Sequence, residues 1–226
     1  MMAQGAALQP DDIVWSLLHS KEIIESLDSS TVTSPTAEAF QQVLSSASLR
    51  YQTFIGTMDL ESMGMALQFM AEMSKPKEQK CVLTDALCAT TTAIQADLMR
   101  SLDTRVHELL SPSKASALTI VMRAMQNHCL HHVLLQQAVI HAAIGTGLFN
   151  SLDGNDLAPV ICNLAAARVM RVPPVLEQQL RSAKLWNRAS AAVALKADDM
   201  SAQNVAELAY QLQVCMPVSK AIAVQT

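Results

Sequence analysis

The sequence predicts an all-α protein built as a helical-hairpin repeat solenoid, an α-α superhelix. Three observations carry that expectation. Half of the 226 residues are apolar, yet only 4% are aromatic and only 6 are glycine, so the aromatic, turn-rich texture of a β sandwich is missing. Ala, Leu, Met and Gln dominate, and these are strong helix formers whose preferences add up over long windows. Finally, one helix-start pattern recurs along the chain at intervals typical of two- and three-helix repeats.

The first start is Leu8-Gln9-Pro10-Asp11-Asp12-Ile13. Pro10 suits the first helical turn and the two acids suit the positive end of the helix dipole, so a helix over about Pro10 to Leu27 follows. Asp28 to Ser34 is polar and β-branched, and Ser34-Pro35 restarts a helix through Phe40 and Leu44. Met58-Asp59-Leu60 opens the next, with Asp59 as cap and an end near Ser74, before Lys75-Pro76-Lys77. Glu78 to Leu110 holds a helix through Leu83, Leu87 and Ile94, with a break expected at Thr90-Thr91-Thr92. Leu110-Ser111-Pro112 starts another, Ser111 capping and Pro112 in the first turn. A break at Asn127 to His131 then leads to a helix over Val133 to Ile144 that stops at Gly145-Thr146-Gly147. Leu152-Asp153-Gly154 and Met200-Ser201-Ala202 are the last two starts, and a final helix is expected to restart at Pro217.

At each start an apolar residue precedes the cap (Leu8, Met58, Leu110, Leu152, Met200) and another follows five positions later (Ile13, Met63, Ala115, Leu157, Val205). These are the two halves of a hydrophobic staple, which fixes the angle at which the chain enters a helix. The starts lie 50, 52, 42 and 48 residues apart, near the periods of HEAT and armadillo repeats. The expected organisation is one helical-repeat domain over residues 1–226, with units at about 8–57, 58–109, 110–151, 152–199 and 200–226.

A formal net charge of -4 argues against coating nucleic acid by bulk charge. The charge is unevenly spread. Met1 to Lys75 carries nine acids against three bases, whereas Val160 to Lys196 carries six bases against the single acid Glu177, which places any polyanion partner on the C-terminal third. Five cysteines without a CxxC pair do not form a disulfide framework and point to a reducing compartment. The most apolar run, Val133 to Phe149, is interrupted by Gln136, Gln137 and His141 and falls short of the roughly 20 apolar residues a membrane span needs. The N-terminus MMAQGAALQPDD has no arginine and reads as neither a transit peptide nor a secretory signal.

Asp153-Gly154-Asn155-Asp156-Leu157-Ala158-Pro159-Val160-Ile161-Cys162-Asn163-Leu164-Ala165, followed by Val172-Pro173-Pro174-Val175-Leu176, resembles the degenerate helical repeats of the octotricopeptide and heptatricopeptide kind. Similar repeats precede RAP domains in FAST-kinase-like organellar proteins. Ser201 to Leu212 resembles the first half again, and about a quarter of the chain is covered. The aromatic usual in the first helix is replaced by Cys162 and appears as Tyr210; Trp15 stands at another offset, and no RAP domain follows. The resemblance implies an organellar, mitochondrial protein that binds RNA or sits in a ribonucleoprotein such as the mitochondrial ribosome, touching rRNA and protein subunits.

The candidate RNA-binding residues are Arg168, Arg171, Arg181, Lys184, Trp186 and Arg188. On one helix Arg181, Lys184 and Arg188 fall at i, i+3 and i+7 and share a face. Such bases can hold phosphates of a single strand while Trp186 stacks a base. The competing reading is a solvated helix face with Trp186 in the core. His128, Cys129, His131 and His132 form the one group with metal-ligand chemistry, but no second ligand pair has zinc-site spacing, so no metal is expected. No GxSxG, GxxxxGK[ST], HExxH or paired-carboxylate signature occurs, so no catalytic residue, cofactor or small-molecule substrate is expected. The alternative to a ribonucleoprotein component is a purely protein-binding scaffold or assembly factor.

Overall fold

Capping and apolar spacing decide where the helices begin and what they bury. The computed structural model describes residues 17, 19, 21, 22, 34–74, 82–127, 130 and 132–215, and among them every regular element is helical. The chain divides into two compact units, Met1–Ser101 and Leu102–Thr226. Of the first expected helix only Leu17, His19, Lys21 and Glu22 are described, all helical. Its remainder, and the restart at Pro217, lie outside the described residues.

In the first unit, α1 (Ser34–Ile55) carries Leu44, Tyr51 and Ile55 on its buried side. Helix α2 (Leu60–Met73) begins as the sequence predicts, because the Asp59 side chain accepts the Ser62 N–H at 2.9 Å. It buries Leu60, Met63, Leu67 and Met70 at helical spacing and ends at Ser74, whose N–H reaches back to Met70 O. Helix α3 (Val82–Thr104) runs without interruption, so the break expected at Thr90 to Thr92 does not occur. The Thr90 and Thr91 hydroxyls donate to the carbonyls of Ala86 and Leu87, both at 2.9 Å. A threonine that bonds back one turn stays inside a helix, and Thr91 completes the buried stripe of Leu87, Ile94 and Leu98. Gln52 Nε2 joins α1 to α3 through Asp97 at 2.6 Å.

The second unit begins with α4 (Val106–Leu109) and a 3-10 turn, Pro112–Lys114, before α5 (Ala115–Asn127). Ser111 makes no capping bond there, contrary to expectation; Pro112 opens a tight turn first and the α-helix proper starts three residues later. Helix α6 (Val133–Gly145) stops where the sequence places its stop. Gly147, at φ 77, takes the left-handed turn that a side chain would strain. After α7 (Leu148–Ser151), α8 (Gly154–Val169) is capped by Asp153, which accepts the Asp156 N–H at 2.7 Å. Helices α9 (Pro174–Leu180), α10 (Ala183–Lys196) and α11 (Ala202–Cys215) complete the described chain.

Helix α8 is the centre of this unit. It packs between α5 and α11, and the contacts advance in step along all three helices. Thr119 bonds the Asp156 carbonyl and Asn163 the Met122 carbonyl on the α5 side. Asn155 bonds Ser201 and Asn204 on the α11 side, and further along α8 Cys162 faces Glu207. The three helices that follow the starts at Leu110, Leu152 and Met200 therefore run parallel, side by side. Helix α6 packs on α9 and α10 beside them. Gln136 joins it to α8 by donating to the Asn163 carboxamide at 3.0 Å; Gln136 is fully buried and Asn163 nearly so.

Candidate nucleic-acid interface

The six predicted residues do not form one face. Arg181 caps the end of α9, and Ser182 precedes a new helix, so Arg181 is not on the helix that carries Lys184 and Arg188. The spacing argument for a three-residue face fails at that break, although Lys184 and Arg188 remain one turn apart on α10. Arg181 also pairs with Glu177 one turn back, at 2.5 Å. Arg171 stands exposed in the turn after α8, and Lys184 and Arg188 are exposed on α10. Among the described residues no carboxylate lies within ion-pair distance of Arg171, Lys184 or Arg188.

Trp186 is not available to a base, which corrects the expectation that it stacks one. Its side chain is 1% exposed, and Nε1 donates to the Leu180 carbonyl at 2.6 Å. That carbonyl belongs to the last turn of α9, where backbone acceptors have no partner within the helix. The indole satisfies it from across the turn and fills the core beneath. Arg168 lies over the same ring, 5.9 Å from its centroid, and is only partly exposed. Its Nη1 is buried without a hydrogen-bond partner, while the guanidinium approaches the Cys215 thiol. Arg168 thus serves the packing of α8, α10 and α11, and the exposed part of the candidate interface is Arg171, Arg181, Lys184 and Arg188.

A second feature was not foreseen from the sequence. A groove of about 330 Å³ runs over α8, floored by Ala158, Pro159 and Cys162. Its walls are Arg123, Gln126 and Asn127 of α5 and Gln203, Asn204 and Glu207 of α11. Gln126 Nε2 closes one end by donating to Glu207 at 2.8 Å. Burial pushes the Cys162 thiol well above its ordinary range, and the Glu207 carboxylate raises it further. Cys162 therefore remains a protonated thiol, a poor nucleophile. Cys215 is shifted up by burial, with Arg168 pulling the other way. No sequence motif marks this groove, because its walls come from helices about 40 and 80 residues apart.

Of the histidine group, His128, Cys129 and His131 lie outside the described residues. His132 is 7% exposed and caps α6: Nδ1 accepts the Leu135 N–H at 3.2 Å, while Nε2 meets Asp103 at 3.0 Å. Those bonds place the proton on Nε2. Among the described residues no three His, Cys, Asp or Glu side chains gather as metal ligands, and no helix is long and apolar enough to cross a membrane. Comparison of the chain with known protein families, curated proteins and solved structures found no match.

Proposed function

We propose that the chain is a non-enzymatic helical-repeat component of an organellar ribonucleoprotein, with the mitochondrial ribosome as the setting its repeats resemble. Its second unit is read as a short solenoid, in which α5, α8 and α11 are equivalent first helices of successive repeats. Their parallel packing and shared start pattern support that reading. Arg171, Lys184 and Arg188, exposed and without carboxylate partners, contact RNA phosphates, and Arg181 contributes less because Glu177 already neutralises it. The observation that carries the proposal is this group of unneutralised cations in a chain that is acidic overall.

Reversing Arg171, Lys184 and Arg188 to glutamate tests it. Single-stranded RNA affinity should fall, and the slope of log K against log salt should shrink by about 2, since each lost phosphate contact removes about 0.7. An unchanged affinity and slope would remove RNA from this face. The scaffold reading also has specific support: Leu195, Val169, Tyr210 and Val175 are exposed at 79%, 72%, 65% and 59%, and apolar groups in the open mark protein contacts more often than phosphate contacts. Purification from native extract separates the two. Partners that survive RNase, with no RNA recovered, favour the scaffold.

A further inference from the structure

The face of α8 that receives α11 has an uncovered counterpart on α11 itself. Aligning the two starts places Ala202 at the position of Gly154, Gln203 at Asn155, Ala206 at Ala158 and Tyr210 at Cys162. On α8 these positions make the joint. Gly154 is so close to the incoming chain that a Cβ would stand 2.9 Å from Met200 Cγ and 3.2 Å from the Lys196 carbonyl. The Asn155 carboxamide accepts the Ser201 N–H at 3.3 Å and the Asn204 side chain at 3.0 Å, holding the first turn of the next helix. Cys162 meets Glu207 two turns along. On α11 all four counterparts are exposed, Tyr210 to 65%. The stripe of Ala202, Gln203, Ala206, Tyr210 and Gln213 is uncharged, with small residues at the helix start, a carboxamide placed to hold a helix N-terminus and an aromatic two turns further on.

We infer that this face docks a helix of a partner protein, lying parallel to α11 with its first turn at Gln203 and an apolar residue against Tyr210. The joint continues the α5–α8–α11 series by one step. Its chemistry follows from the joint already made: a Ser, Thr, Asp or Asn cap whose following N–H groups reach the Gln203 carboxamide, and an apolar stripe at helical spacing for Ala206 and Tyr210. No charge on this face offers a phosphate anything, so a nucleic-acid occupant is disfavoured. The inference rests on the stacked-helix reading of the second unit and not on RNA contact elsewhere.

The test places the photo-crosslinking residue p-benzoylphenylalanine at Gln203 or at Tyr210 of the full chain, in separate preparations irradiated in native extract. Both positions are solvent-exposed, so folding is preserved, and circular dichroism verifies it. The expected result is adducts to one partner protein, with the Gln203 adduct about seven residues N-terminal to the Tyr210 adduct in a single helical segment. Ala206→Glu on the same face should cut both yields at least tenfold without changing the melting temperature. Adducts to RNA, to a second copy of this chain, to scattered proteins or in reversed order overturn the inference, as does the absence of adducts or their indifference to Ala206→Glu. The variant reversed at Arg171, Lys184 and Arg188 should retain the adducts, which separates failure here from failure of the RNA reading.

Discussion

At the scale of single residues, the most consequential contacts are polar groups held where water cannot reach. Asn163 donates to the Met122 carbonyl and accepts from Gln136, so one carboxamide ties three helices together. Asn163→Leu leaves the buried Gln136 without its acceptor and should cost about 1–3 kcal/mol in chemical denaturation. Trp186→Ala removes a core ring and exposes an orphan carbonyl at Leu180, with an expected loss of about 3–5 kcal/mol. In thiol labelling of the native protein, Cys162 and Cys215 should react only upon unfolding, since both are buried and their thiols are shifted upward. Rapid modification of either would contradict the packing of α8 against α11.

Two carboxylates give opposite pH signatures. The Ser62 hydroxyl and N–H hold Asp59 below its ordinary 3.8, so its contribution to stability is present above that value and is lost as pH falls through the lower folded value. Asp156 is raised, chiefly by burial. The folded state favours its protonated form, and its contribution is lost as pH rises from 3.8 through the higher folded value. Asp59→Ala should therefore cost about 1 kcal/mol at pH 7, the usual worth of a cap, and less at pH 3. Asp156→Asn should be tolerated better at pH 7 than at pH 3, relative to the parent. Urea denaturation of both variants at the two pH values checks the signs.

At the scale of elements, helix starts were more legible in the sequence than helix interiors and turns. Asp59, Asp153 and Ser201 all accept a backbone N–H three residues on, as their position before an apolar run indicates. A cap is a local interaction, and a local pattern is sufficient to reveal it. Ser111 failed because Pro112 forms a 3-10 turn first, and the threonine run failed as a break because Thr91 is recruited into a buried stripe that only the fold defines. The end of α9 at Leu180 was missed for a related reason. The turn is stabilised by Trp186 from the following helix, and no residue before Arg181 announces it. This miss propagated to the candidate site, converting an apparent face of Arg181, Lys184 and Arg188 into two separate positions. Gly154→Ala offers a direct probe of the α8–α11 joint: with Met200 Cγ 2.9 Å from the new Cβ, overpacking should cost about 1–3 kcal/mol, whereas Gly56→Ala, with open space around it, should not be felt.

At the scale of the molecule, the all-helical class followed from composition, which sums over every residue and tolerates local errors. The groove over α8 did not, because it depends on which helices become neighbours. The latch at the end of α10 has a different kind of consequence. Lys196 Nζ donates to the carbonyls of Asn150 and Leu152, so the close of the 152–199 segment is bonded to its own beginning. A segment whose two ends meet behaves as a cassette: it can be copied in tandem or removed, and the flanking chain still finds its termini side by side. Duplicating residues 152–199 in frame should accordingly yield a longer, soluble helical protein with cooperative unfolding, and the ancestry of such an array is most simply written as repeated copying of one closed loop.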